Sequence, residues 1–372
     1  MRSLLSAVTI AIVAAFGVSG PARAQPPKTH SQMVHDTVDN HVIPRMEKLA
    51  ATTGVLARDL KSTCDAGTAD RAAALDKAKT SFAETVRAWA GVEFMRFGPM
   101  GEGGRVERFA FWPDTRGILY RQLPPLLAKR DTKLLEPGEL GKQSAAVQGL
   151  HALELILTDE KKPLIAGDED GRYRCAFAAA IGANLDQIAK DLVVAWEAAD
   201  GWRHRMYVPG SDNGVYPEPA DAARDLIRAL LTGLQLVQER QVKPRLDTLY
   251  GVAKTPRLPF ERSGLGITYL EAGISSLKAF FETFGIATYT PPAKAWMRGW
   301  MDRAFELMQR DAGKIPRKPE VPAEPEKVDK QGPEIVLVRQ MRFHLNGLRQ
   351  MIGRELAPAA ELSIGFNELD GD

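Results

Sequence analysis

The stretch Val34–Leu60, "VHDTVDNHVIPRMEKLAATTGVLARDL", decides the fold class of this chain. Its apolar residues recur at intervals of three and four, which places them on one face of an α-helix. Most other apolar segments repeat the same period, and none alternates with a period of two for long. Pro44 predicts a kink, because proline lacks the amide hydrogen that a helix interior needs. The sequence therefore predicts an all-α protein.

Further helices are predicted in both halves of the chain by the same periodicity. These segments are residues 75–89, 140–157, 173–199, 222–249, 266–283, 294–311 and 334–356. A turn-rich connection at 207–219, rich in Pro and Gly, separates the halves. We therefore predict two packed helical-bundle domains of about four helices each. The predicted boundaries are 25–205 for the first bundle and 206–372 for the second, which carries a Pro-rich, charged loop near 314–333.

The first residues have the pattern of an export signal. Arg2 precedes the apolar run Leu4–Val18, and the small residues Ala22 and Ala24 follow with the spacing that signal peptidase requires. The apolar run is shorter than the roughly 20 residues that a membrane span needs. We therefore predict a signal peptide over 1–24, cleavage near Ala24/Gln25, and a soluble periplasmic protein with no membrane span.

The net charge argues against nucleic-acid and anionic-lipid partners, and the cysteine content allows one disulfide. Without Arg2 and Arg23, 47 basic residues balance 47 acidic ones, so the mature chain has no electrostatic attraction for nucleic acid or anionic lipid. Cys64 and Cys175 are the two cysteines of the chain. In an oxidising compartment they are a possible disulfide, and two buried thiols are the alternative.

The stretch Val147–Leu157, "VQGLHALELIL", contains the first candidate site residues. On a helical wheel Glu154 falls inside the apolar arc and His151 at its edge. A buried carboxylate needs a partner, because burying it unpaired costs several kcal/mol or forces it to take up a proton. A hydrogen-bonded His–Glu pair in the core would give the carboxylate its partner without any role in ligand binding. Gly149 favours a functional site slightly, because a glycine there suggests a close approach of the backbone.

The second predicted helix ends on charged residues. Its apolar stripe, continued beyond Trp89 in steps of four and three, reaches Glu93 and then Arg96. One interpretation is a solvated helix end with an ordinary ion pair. The other is that Glu93 joins His151 and Glu154 in one polar pocket and that Arg96 balances their charge.

The segment Gly149–Glu154 fits the pattern GxHxxE and resembles the imelysin-like family of exported bacterial proteins, which is also classed as a peptidase family. Other segments are similar to that family as well: 38–49, 88–100, the "FWPD" loop at 111–114, 259–264 and 365–372. The resemblance implies two helical-bundle domains with the GxHxxE site near their junction, a link with iron uptake, and metal binding through HxxE. Many members are lipoproteins, whereas this chain has no cysteine beside the predicted cleavage site.

The residues themselves limit the metal chemistry. The chain has no HExxH motif of the kind that helical zinc peptidases use. His151 and Glu154 could supply one nitrogen and one oxygen ligand, and Glu93 is our third predicted metal ligand. Asp114 and His41 are further candidate donors. A carboxylate-rich set with one imidazole favours iron over zinc.

Other polar or aromatic residues are placed around the same predicted cleft. They are Arg96, Trp112, Asp114, Arg262 and Ser263. We predict a protein that binds a metal ion, with iron preferred, or a metal-linked ligand at this interdomain cleft. Iron uptake or handling is the predicted context, with other periplasmic iron-uptake proteins as candidate partners. A metallopeptidase that uses His151 and Glu154 and a non-catalytic interaction module are the alternatives, so the sequence leaves enzyme activity open.

Overall fold

The protein is described here by a computed structural model that covers residues 26–67, 69–253 and 258–363. The predicted signal peptide, 1–24, and the terminal segment 365–372 lie outside the described residues. The described part is α-helical and contains no strand, so the predicted all-α class is confirmed. None of its helices combines the length and the apolar character that crossing a membrane requires.

The α-helices follow one another along the chain with short 3₁₀ and π turns between some of them. In chain order they are α1 His30–Thr37, α2 Ile43–Asp65, α3 Arg71–Ala90, α4 Arg105–Phe109, α5 Ile118–Lys129, α6 Leu150–Leu157, α7 Glu169–Glu197, α8 Trp202–Tyr207, α9 Pro219–Val237, α10 Lys243–Leu249, α11 Gly266–Phe284, α12 Trp296–Ala312, α13 Pro333–Met351 and α14 Ala357–Ala359.

The kink predicted at Pro44 takes the form of a π turn. Residues Val38–Val42 form that turn between α1 and α2, and Pro44 occupies the first turn of α2. Proline is tolerated there because the first amides of a helix have no carbonyl partner within the helix. The same arrangement recurs at Gln238–Val242, which precedes Pro244 in α10.

Two expectations about the segment between α3 and α7 were wrong. Residues 140–147, predicted as part of a long helix, form 3₁₀ turns, and α6 begins only at Leu150 because Gly149 is extended, with φ −116° and ψ −169°. The Gly-rich region 97–117, which is absent from the predicted helices, contains α4. Helix α5 was not predicted, since Pro124 and Pro125 lie inside it and proline normally argues against a helix interior.

The helices of both halves enclose the candidate site. Helix α2 packs on α3 and α7, and a disulfide between Cys64 and Cys175 joins α2 to α7. Helix α11, from the second half, packs on α3 and also on α9 and α12. The buried apolar side chains form one continuous cluster that includes residues from both halves. The division into two domains at 205/206 therefore stays a prediction.

Candidate functional site

His151 and Glu154 lie one turn apart on α6, and both side chains are buried. Their exposed fractions are 5% and 4%. His151 Nδ1 lies 3.6 Å from Glu154 Oε2. Both residues nevertheless line a cavity with a volume of about 580 Å³. The imidazole and the carboxylate thus form part of a pocket wall and are not sealed inside the core.

Gly149 allows α6 to approach the preceding chain closely. A Cβ atom on this residue would lie 2.6 Å from the carbonyl oxygen of Phe109 and 2.7 Å from that of Arg108. Real Cβ atoms essentially never come so near to backbone oxygens, so any larger residue would push α6 away. The close backbone approach that the sequence suggested is present, although Gly149 caps the N-terminus of α6 and does not lie inside it.

The loop at 258–265 brings the second half of the chain onto this pair. The backbone N–H and the hydroxyl of Ser263 both donate to Glu154 Oε1, at 2.9 and 2.7 Å. The Phe260 ring stacks on the His151 imidazole with 4.4 Å between ring centroids. Phe260 has φ 55°, a left-handed conformation that costs a non-glycine residue about 1–2 kcal/mol. The loop therefore accepts backbone strain in the conformation that covers His151 and bonds Glu154.

The environment of Glu154 keeps its carboxylate ionised. Burial alone would raise its pKa, but the interaction with the His151 imidazole, 3.6 Å away, and the two hydrogen bonds from Ser263 act in the opposite direction, and the pKa is lowered overall. Oxygen Oε1 is occupied by Ser263, whereas Oε2 faces His151. The pair thus presents an anionic oxygen and an imidazole nitrogen side by side.

The cavity above the pair has aromatic walls and a charged rim. The Trp112 ring lies 5.0 Å from the His151 ring, between centroids. Asp114 accepts hydrogen bonds from the backbone N–H groups of Ile118 and Leu119, so its carboxylate caps α5. The side chains that the cavity brings together include Trp112, Asp114, Tyr120, His151, Glu154, Glu261, Arg262 and Lys318.

Glu93 and Arg96 lie elsewhere, although we predicted them in this cleft. Helix α3 ends at Ala90, so the helical spacing that placed both residues on its buried face does not continue to them. Glu93 is buried and accepts a hydrogen bond from the Tyr269 hydroxyl. The Phe260 ring contacts both Tyr269 and His151, at 5.1 and 4.4 Å between centroids, and neither Glu93 nor Tyr269 lines the cavity.

His41, a further candidate donor, is not part of this cavity, whereas Asp114 lines it. His41 is buried against Phe94 and Phe280, and burial, with the charge of Arg45, lowers its pKa to about 3. Across the described ranges, no three His, Cys, Asp or Glu side chains gather in a group able to hold a metal ion. The structure therefore does not bring Glu93, His151 and Glu154 into one ligand set.

Sequence reasoning missed Phe260, Glu261 and Lys318. Glu261 lines the cavity, and burial raises its pKa despite the opposing charges of Arg245 and Lys318. The FERS segment that was singled out contains Phe260 and Glu261, but we took only Arg262 and Ser263 from it. Lys318 comes from the Pro-rich loop, and no local pattern of that loop indicates contact with a site on α6.

Solved structures with a similar fold include proteins from two organisms. An imelysin-like protein from Psychrobacter arcticum 273-4 superposes with a TM-score of 0.71 at 17% identity, over 91% of this chain and 97% of its own. A protein assigned as an iron-regulated protein A precursor, from Parabacteroides distasonis ATCC 8503, gives 0.64 at 11% identity, over 92% and 97%. At such identities the likeness shows a shared fold alone.

Sequence comparison gives the family. A search of curated proteins finds no significant match. The family model described as Peptidase M75, Imelysin, matches residues 42–337, which is most of the chain and includes α6 with its GxHxxE motif. The chain belongs to the imelysin family.

Proposed function

We propose that this protein binds a metal ion, with iron preferred, or a small ligand that carries one, in the cavity above His151 and Glu154. The observation that carries this proposal is the pairing of a buried imidazole with an ionised carboxylate, 3.6 Å apart, at the wall of a cavity of about 580 Å³. A His–Glu pair that served the core alone would not need to face open space.

The donor atoms fit a metal that is only partly held by protein. Ligand distances of about 2.0–2.2 Å allow two donors 3.6 Å apart to share one ion. Closed structural zinc sites use four protein ligands, and the described residues offer no group of even three. The remaining ligands would then be water or atoms of a bound molecule. One imidazole with one carboxylate suits iron better than a thiolate-preferring ion.

The size and lining of the cavity favour the metal-linked ligand. Small-molecule pockets commonly measure about 300–1,000 Å³ and combine apolar walls with a few polar groups. Trp112 and Tyr120 supply aromatic surface, and Arg262 and Lys318 add positive charge. Such a lining suits a chelate whose donor groups are carboxylates or other anions.

The comparisons support an iron-related role in an exported protein. One structural relative is assigned as an iron-regulated protein A precursor, and the predicted signal peptide suggests the periplasm. We propose iron uptake or handling as the context, with other periplasmic iron-uptake proteins as partners. The family name includes a peptidase, but catalytic zinc usually takes three protein ligands and a water, so a binding role fits the pair of donors better.

Metal binding by the chain expressed without residues 1–24 tests the proposal. Equilibrium dialysis against ferrous iron, ferric citrate and zinc would compare the wild type with His151→Ala and Glu154→Gln. We expect either substitution to weaken iron or ferric citrate binding by more than about tenfold. His204→Ala is the matched control, because His204 is exposed, and it should bind like the wild type.

Two outcomes would overturn or redirect this proposal. Equal metal binding by the wild type and both site variants would overturn the metal-site proposal and leave His151 and Glu154 as a pair that serves the core. Cleavage of a peptide library that is blocked by chelators and absent from both variants would instead identify a metallopeptidase.

A further inference from the structure

A second cavity lies where the segment after α3 meets helix α9. Its volume is about 160 Å³, and its lining includes Arg96, Phe97, Asp225, Arg228 and Thr232. It shares no lining residue with the larger cavity above His151. No pattern in the sequence predicts Arg96 beside α9, because its position follows from the end of α3 at Ala90.

Arg96 is a largely buried cation without a close acidic partner. Its side chain is 15% exposed, and its nearest carboxylate oxygen, on the mostly exposed Glu107, is 4.0 Å away. Its Nε atom is buried and lacks a hydrogen-bond acceptor. Burying an unpaired guanidinium is costly unless an anion or a hydrogen-bond acceptor meets it.

The neighbours of Arg96 add to this positive charge. Arg240 is close enough for the charge of Arg96 to lower its pKa, after the larger effect of its own burial. Within the described ranges, Arg240 forms no ion pair that would offset it. The nearby acidic groups are Glu93, whose pKa is raised by burial, and Glu107. Among the described residues, Arg96 and Arg240 therefore lie close together with no short ion pair to either of them.

The acidic residue of the cavity is already engaged. Asp225 Oδ1 accepts from Arg228 Nη1 at 2.6 Å, and Oδ2 accepts from the Tyr216 hydroxyl at 2.8 Å. Asp225 thus offsets Arg228 and makes no ion pair with Arg96. The hydroxyl of Thr232, one helical turn beyond Arg228 on α9, belongs to the lining and can act as a further donor.

We propose that this cavity binds a small oxyanion, a phosphate-type or carboxylate group, through Arg96 with support from Thr232 and Arg228. A guanidinium offers parallel N–H groups that match two oxygens of such an anion. The volume admits an inorganic anion or a short carboxylate, whereas a bulky chelate belongs to the larger cavity. This site does not depend on metal binding at His151.

Calorimetric titration with inorganic phosphate and with acetate, each at constant ionic strength in chloride, tests the proposal on the chain without residues 1–24. We expect saturable binding of at least one anion by the wild type, weakened more than about tenfold in Arg96→Gln. Arg87→Gln is the matched control on α3, because Arg87 is half exposed and pairs with Glu84. It should leave the affinity unchanged, as should His151→Ala.

A milder variant keeps the test valid if Arg96→Gln does not fold. Thr232→Val has nearly the same shape and retains both guanidinium groups, and it should weaken binding by about fivefold. A preference for phosphate over acetate, or the reverse, identifies the type of anion. Absence of saturable binding of either anion, or wild-type affinity in Arg96→Gln or Thr232→Val, would overturn the proposal.

Discussion

Glu154 and Glu93 are two buried glutamates whose environments have opposite effects on their charge. Each accepts a hydrogen bond from a hydroxyl group in the second half of the chain. The donor is Ser263 for Glu154 and Tyr269 for Glu93. Burial raises the pKa of Glu93, and the Tyr269 hydrogen bond and the nearby arginines do not overcome it. At Glu154 the contacts of His151 and Ser263 do overcome burial, and the pKa falls.

The difference shows that burial alone does not identify a ligand-binding carboxylate. Glu154 has two hydrogen bonds on one oxygen and an imidazole beside the other, and it faces a cavity. Glu93 has one hydrogen-bond donor among the described residues, Tyr269, and does not line that cavity. The lowered pKa of Glu154 favours the charge that attracts a cation, whereas the raised pKa of Glu93 shows that its site disfavours that charge. The two residues are therefore suited to different tasks although both are acidic and buried.

The largest expected effect comes from removing the Phe260 ring, which contacts a partner of each glutamate. Phe260 is 1% exposed and contacts Phe82, His151 and Tyr269. Phe260→Ala should lower the free energy of unfolding by about 3–5 kcal/mol, because it removes a buried ring and leaves a cavity. Urea denaturation measures this loss.

Phe343→Ala is the control for that change, because Phe343 is 64% exposed. Its free energy of unfolding should stay within about 0.5 kcal/mol of the wild type. A loss below about 1 kcal/mol in Phe260→Ala would mean that the Phe260 ring is not a well-packed part of the core in this region.

Replacing each glutamate by glutamine should change stability in opposite directions. At neutral pH, Glu154→Gln should cost about 2 kcal/mol, because hydrogen bonds to an ionised group are lost or weakened. Glu93→Gln should leave the stability unchanged or raise it, since the amide resembles the protonated acid that the folded state prefers. Urea denaturation of both variants from acid to neutral pH would show the two trends.

The sign of each trend follows from the direction of its pKa shift. Glu154 has a lowered pKa in the folded state, so it stabilises the fold above the ordinary value of 4.5 and loses that effect as the pH falls through the folded pKa. Glu93 has a raised pKa, so its cost appears as the pH rises above 4.5. Equal pH profiles for the two variants would contradict the contrast.

The local spacing of apolar and polar residues was enough to predict the fold class and to single out His151 and Glu154. The structure confirms helices in most segments that apolar spacing predicted, such as Val34–Leu60 and 266–283, but not over 140–149. His151 and Glu154 could be singled out because polar residues in an apolar stripe are costly to bury. Gly149 could be singled out because glycine loses more conformational entropy on folding than other residues, so a glycine in a predicted helix suggests a structural requirement.

The predictions that were wrong or missing depend on where helices end and on which distant residues contact them. Glu93 was assigned by continuing a helix that stops at Ala90. Phe260 and Lys318 approach α6 only through tertiary contacts that link residues more than a hundred positions apart. The charge state of Glu154 depends on Ser263 in the same way, and no local periodicity carries that information.

The smallest effect that we predict isolates this distant contact. Ser263→Ala removes the hydroxyl that donates to Glu154 Oε1 at 2.7 Å but keeps the backbone N–H at 2.9 Å. The free energy of unfolding at neutral pH should therefore fall by about 1 kcal/mol. Because the lost bond favours the ionised form, the folded pKa of Glu154 should rise towards 4.5.

The difference between Ser263→Ala and the wild type should shrink as the pH falls, since a protonated Glu154 gains less from the hydroxyl. Ser211→Ala is the matched control, because the Ser211 hydroxyl bonds exposed Asp212, and it should be neutral at every pH. A loss in Ser263→Ala that is equal at acid and neutral pH would mean that the hydroxyl supports the loop and not the charge of Glu154. In that case the lowered pKa of Glu154 would have to depend on His151 and the Ser263 backbone N–H. The difference between the pKa shifts of Glu154 and Glu93 would then come mainly from His151, on the same helix as Glu154.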